Sequence, residues 1–147
     1  WTNSHLHEFR VGSKYYGRPT DLDEDARIID ERLMPLSRVA KRKGVRFVYV
    51  YDFGDDWEHQ IVVENIFEAE PGAPLPACTG GQYACPPEDS GSLPGYYAML
   101  AVLDHPKHPE HESVKKWIGR NWNPAAFEVA NADKAVRRPA LIHPESE

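Results

Sequence analysis

Cysteine is scarce in this chain: Cys78 and Cys85 are the only two in 147 residues. Two thiols cannot make the disulfide framework of a small secreted domain, and at this length a core can do without one. The six residues between them match neither the C-x2-C knuckle of zinc sites nor the C-x-x-C of redox motifs. Long apolar runs are missing too. No stretch approaches the roughly 18 residues that a membrane-spanning helix needs, and mean hydropathy is −0.61. Proline (13) and glycine (10) fall well short of the share that marks low-complexity chains. One folded domain over residues 1–147 is therefore expected, with no membrane segment. The sequence opens at Trp1 rather than Met, so a processed product, or the ordered part of something longer, is expected. The few cysteines and the want of an apolar leader pattern point to the cytoplasm.

Positive charge is almost absent from the middle of the chain. Residues 51–112 hold 12 Asp and Glu against Lys107 alone, a balance of −11, whereas residues 1–50 carry +3 and residues 113–147 carry +2. That acidic middle also contains His59, His105, His108 and His111. Carboxylates with imidazoles could hold a cation, or could be a solvated face balanced by the basic outer segments.

Local pattern predicts an α+β protein with a mainly antiparallel sheet and C-terminal helices. HLHEFRV at 5–11 alternates as a half-buried strand does, and 37–43 has helical spacing stopped by Gly44. VRFVYVY at 45–51 and the alternating segment 57–66 flank DFGDD at 52–56, which predicts a hairpin with Gly54 at positive φ. Residues 69–95 hold six prolines and five glycines and read as a long functional loop. Helices are predicted over 95–103, from Pro109 to Gly119, and briefly from Asn123 to Phe127, with Asn131 capping a last one.

Three groups could carry chemistry. The hairpin turn gathers Asp52, Asp55, Asp56 and Glu58 beside His59, oxygen and nitrogen donors suited to a divalent metal, although the spacing fits no named loop. His5 and His7, two apart on a strand, would share one face, and Glu88 and Asp89 could complete their shell if the long loop folds over the sheet. In CPPED, two prolines stiffen the backbone ahead of adjacent carboxylates, and Tyr83, Tyr96 and Tyr97 flank it. These place a candidate site between the DFGDDW turn and the PPED loop, with His5, His7, Asp52, Asp55, His59, Glu88 and Asp89 as candidate metal ligands. The structural alternative is that Asp52 bonds the turn backbone and that Glu88 and Asp89 bond backbone N–H groups. His105, His108 and His111 are separated by prolines and read as a linker with caps.

HLHEF at 5–9, YVYDFGDDWEH at 49–59, CPPED at 85–89 with Gly91, GY at 95–96, HPEH at 108–111, and WIG with NPAAF between 117 and 127 occur in an order that resembles the plasmid pRiA4b ORF-3-like family over nearly the whole chain. Ser92 and Asn123 depart from the family pattern, which has glycine and an acidic residue there. The resemblance implies an α+β fold and a setting on plasmids or mobile elements, and it implies no activity. It also implies a further N-terminal strand and helix, so a protein partner or a missing N-terminal segment is expected to complete the fold. Some members carry a resolvase label, but recombination needs a nucleophile among several arginines, and duplex DNA needs clustered positive charge. The single basic cluster, Arg38 to Arg46, reads as a solvated surface, so direct DNA binding is not expected.

Two functions stay open. The first is a non-catalytic binding or adaptor domain, which predicts an open patch at Trp57, Trp117 or Trp122. The alternative is a metal-dependent hydrolase in which a carboxylate activates metal-bound water.

Overall fold

A computed structural model describes residues 1–19, 28–73 and 75–137. The described residues group into two compact units, the first built from 1–67 and 86–118 and the second from 68–85 and 119 onward.

The first unit is built on a five-stranded sheet of β1 (His7–Val11), β2 (Lys14–Gly17), β3 (Ile28–Asp30), β4 (Arg46–Tyr51) and β5 (Trp57–Val62). Its order is β3-β2-β1-β4-β5, antiparallel throughout except for the parallel β2–β3 pair. The β4–β5 hairpin forms because β-branched and aromatic residues alternate on both sides of a polar turn, and Tyr51 pairs with Trp57 to close it. Left-handed backbone falls on Asp52 and Asp56 rather than on Gly54. Asp52 tolerates it because its own Oδ1 accepts the Gly54 N–H at 2.9 Å, while its carbonyl accepts from Asp56 at 2.6 Å.

Register puts His7, Phe9 and Val11 on the same face as Tyr49, Tyr51, Trp57 and His59. The opposite face carries Glu8, Arg10 and Glu58, tied by Arg10 to Glu8 at 2.5 Å and to Glu58 at 3.4 Å. One side is thus aromatic and the other ion-paired. Tyr51 and Val50 are the largest fully buried side chains among the described residues.

The single turn α1 (Leu36–Val39) is shorter than the helix predicted over 37–43. Gly44, at positive φ, donates to the Val63 carbonyl at 2.8 Å and extends the hairpin ladder, so the chain after Val39 is drawn to the sheet instead of continuing to coil. After the hairpin, α2 (Ser92–Leu103) and α3 (His111–Ile118) pack on each other, and Tyr96 sets its ring edge against Trp57. The helix α2 starts three residues earlier than its pattern indicated. Ser92 sits at φ 62°, a left-handed backbone that stores strain at the start of this helix. Nδ1 of His105 donates to the Ala101 carbonyl at 2.8 Å and Nδ1 of His111 to Val102 at 3.1 Å, so these imidazoles satisfy the last carbonyls of α2.

The second unit joins the first half of the Pro/Gly-rich stretch to α4 (Val129–Val136). The Cys78 N–H donates to Asp133 at 2.9 Å, Ala84 N–H to the Pro124 carbonyl at 2.9 Å, and Trp122 Nε1 to the Cys85 carbonyl at 3.3 Å. The Phe127 ring lies so close over Gly81 that no Cβ would fit there. Residues 123–127 form a turn rather than a helix, in which Asn123 Oδ1 accepts the Ala125 N–H at 2.9 Å, and Asn131 lies inside α4 instead of capping it. Cys78 and Cys85 remain thiols.

Candidate functional site

Two features lie on the aromatic face of the first unit. The first is a polar cluster at one end of β4. His5 stands just before β1, in a segment bent by left-handed Asn3 and pinned by Thr2, so its ring is free of the strand's alternation. The His5 ring lies edge-on to Tyr51 at 5.9 Å, with Nδ1 3.8 Å from Asp52 Oδ1 and Nε2 3.3 Å from Asp89 Oδ1 and 3.9 Å from Glu88 Oε2. One ligand atom each from His5, Asp52 and Asp89 falls within 4.8 Å of the others. The DFGDDW turn and the PPED loop do meet, since Asp55 Oδ2 accepts the Gly91 N–H at 3.0 Å.

Each carboxylate has a distinct status. Asp52 and Asp55 are buried, and Asp55 serves the backbone of the loop. Glu88 accepts from the Thr2 N–H at 2.5 Å, the Thr2 hydroxyl at 2.9 Å and the Tyr51 hydroxyl at 3.1 Å. Burial alone pushes the Glu88 carboxyl up, but these hydrogen bonds together outweigh it and hold the group below its ordinary value. Asp89 is largely open to water, its side chain 73% exposed, and left-handed like Asp52. Trp1 covers the cluster's aromatic floor, stacking on Tyr51 at 4.8 Å and donating from Nε1 to the Pro86 carbonyl at 2.9 Å.

Because the Glu88 carboxylate is favoured in the folded state, its contribution to stability is present above the unfolded pKa of about 4.3. That contribution fades as pH falls through the lower folded value. Glu88→Gln is accordingly expected to destabilise the protein at neutral pH, with the gap to the parent narrowing below about pH 4 in urea titrations at several pH values. A gap independent of pH would show that the carboxylate charge is not what these donors hold.

His7 and His59 lie apart from this cluster. Nε2 of His7 bonds Glu31 at 3.0 and 3.2 Å, and Nδ1 of His59 lies 3.3 Å from the Tyr49 carbonyl, under the edge of Trp1. The place of His7 in one metal shell with His5 rested on strand alternation extending back to residue 5, where the strand has not begun, and that of His59 on its closeness in sequence to the acidic turn. Tyr96 packs on Trp57 and Tyr97, and Tyr83 belongs to the second unit.

The second feature escaped the sequence reading: an open cleft of about 680 Å³, lined chiefly by Phe9, Met34, Leu36, Val39, Phe47 and Tyr49. The His7–Glu31 couple stands in its wall. Burial, then the charges of Tyr51 and Glu31, pushes the Tyr49 phenol up, which keeps it protonated. Two signals for this cleft were present, namely the Gly12–Ser13 turn that folds β2 back on β1 and the apolar LMPL at 33–36. The anticipated patch at Trp57 is not there, since Trp57 is buried, with its Nε1 unpartnered among the described residues. Trp117 is exposed.

Fold and site thus define an α+β protein with a mostly antiparallel sheet, one aromatic face partly open and an imidazole–carboxylate cluster beside it. The chain belongs to the plasmid pRiA4b ORF-3-like protein family, whose model matches residues 1–131. It is 39% identical over 137 residues to the uncharacterized protein y4hQ of Sinorhizobium fredii (strain NBRC 101917 / NGR234), covering 92% of this chain and 70% of that relative. Its fold is similar to the crystal structure of a protein of unknown function, MM3350 from Methanosarcina mazei Go1, with TM-score 0.77 and 33% identity over 89% of this chain and 74% of that one. No helix among the described residues is long and apolar enough to cross a membrane.

Proposed function

We propose that this chain is a non-catalytic binding domain whose receiving surface is the aromatic cleft and whose ligand is a segment of another protein. The cleft carries this reading. At about 680 Å³ it lies within the roughly 300–1,000 Å³ usual for ligand sites. Its lining leaves Leu36 66% exposed, apolar surface that a monomer gains nothing by presenting to water. The family's plasmid name supports a setting on mobile elements, where an adaptor would hold together other components. Titration with an environment-sensitive apolar dye, anilinonaphthalene sulfonate, tests the surface: saturable binding is expected, weakened about tenfold by Leu36→Glu, which loses apolar contact and puts a charge at the mouth. Absence of saturable binding, or binding indifferent to Leu36→Glu, would remove the reading.

A separate observation favours a second reading. His5, Asp52 and Asp89 offer one nitrogen and two oxygens within 4.8 Å, a donor set suited to zinc or manganese. Under it these three groups would hold a divalent ion, which would supply a metal-dependent hydrolase with the lowered pKa of a water bound in its open position. An ion at about a hundred times its Kd would stabilise the fold by about 2.7 kcal/mol. The expected result is a rise in Tm with Zn²⁺ or Mn²⁺, reversed by chelator and absent in His5→Ala. A flat response to both ions discards this reading without touching the cleft.

A further inference from the structure

We infer that the segment received by the cleft is acidic and amphipathic, with apolar side chains entering the trough and carboxylates meeting a cationic rim. The inference rests on the cleft being a binding surface and adds what that surface selects. From residue 32 to residue 51 the chain contains six Arg or Lys and no Asp or Glu. Arg38 sits on α1 between the lining residues Leu36 and Val39, and Lys41, Arg42, Lys43 and Arg46 follow before the chain re-enters the cleft wall at Phe47. All five cations are exposed.

Their surroundings differ from those of the arginines elsewhere in the molecule. Arg10, Arg18, Arg32 and Arg137 each lie against a carboxylate. Arg46 reaches only the neutral Gln60, at 3.1 Å, and Arg38, Lys41, Arg42 and Lys43 have no carboxylate partner among the described residues. In a protein of net charge −6 with 23 acidic residues, five cations without a carboxylate partner thus fall within nine residues of chain that border its apolar opening. An apolar centre inside a charged rim is the usual anatomy of a protein interface, and the sign of the rim selects the partner. A helix with leucines at i, i+3, i+4 and i+7 flanked by glutamates satisfies both parts. Nucleic acid fits less well, because the lining is largely aliphatic and aromatic and offers apolar side chains a trough. A bilayer fits less well because the apolar surface is concave.

The test uses two labelled helical peptides with the same leucine spacing, one flanked by glutamates and the other by lysines, in fluorescence anisotropy with the whole chain. The acidic peptide is expected to bind about tenfold tighter than the basic one, and added salt should erase most of the difference. Arg38→Glu combined with Lys41→Glu and Arg42→Glu is expected to reverse the preference, with thermal melting confirming that the variant folds. Equal affinities, or a preference for the basic peptide, overturn the inference even while the apolar dye still binds. Loss of dye binding as well would bring down the binding-surface reading itself. Anionic vesicles or duplex DNA displacing the acidic peptide would assign the rim to lipid or nucleic acid and overturn it. Self-association that occludes the cleft in sedimentation would assign it to a second copy instead.

Discussion

Tyr51→Ala is expected to cost about 3–5 kcal/mol in urea unfolding, the range for truncating a buried aromatic side chain. Tyr51 is 2% exposed and central to the aromatic face. Trp1 stacks on it, His5 meets it edge-on, and its hydroxyl bonds Glu88 at 3.1 Å. Truncation removes the floor of the polar cluster together with a large share of the core, and a domain of ordinary stability holds only about 5–15 kcal/mol in total. Tyr51→Phe separates the contributions. It keeps the ring and is expected to lose about 1–3 kcal/mol, the range for a hydrogen bond to a charged group whose partner stays behind. A loss under about 1 kcal/mol for Tyr51→Ala would mean that this face is not packed as described.

Gly95→Ala is expected to destabilise by about 3 kcal/mol, the upper end for overpacking, although alanine in an unconstrained helix position would gain about 1 kcal/mol. The reason is local and steric. A Cβ at Gly95 would overlap the backbone carbonyl of Ser90, because the loop turns directly over the start of α2 and Gly95 donates to the Gly91 carbonyl at 3.0 Å. Backbone cannot swing aside as a long side chain can. Relief would have to shift Ser90, and with it Asp89 and Glu88, away from His5. Ala98→Gly, in the same helix on an exposed turn, serves as the control and should lose about 1 kcal/mol through helix propensity alone. If Gly95→Ala stabilised the protein, the close approach of loop and helix would be wrong.

These two sites mark how far the residues could be read in advance. The β4–β5 hairpin was legible because alternation and turn chemistry are properties of neighbours, and so were the later helices with their Gly119 stop. Boundaries failed at three places: Gly44 is captured by the distant Val63, residues 123–127 close only a turn, and α2 begins at a left-handed serine. His7 and His59 shared the residue types of a metal shell with His5, yet they bond Glu31 and lie beside the Tyr49 carbonyl, contacts that no spacing rule encodes. Within the long Pro/Gly stretch nothing in the composition marked the division at residue 86, where the PPED half serves the sheet unit and the first half serves α4.

By itself the sequence determined β1, the β4–β5 hairpin and the helices α2 and α3, with the face each of those strands presents, because side-chain alternation and glycine placement act over a few residues, whereas β2 and β3 went unread. Tertiary structure decided that His5, Asp52 and Asp89 meet, and that Leu36, Val39 and Phe47 border an open trough with cations along its edge. Those arrangements depend on segments far apart in the chain being held in register by a shared sheet. Such long-range placement is set by the packing of the whole unit rather than by any local preference.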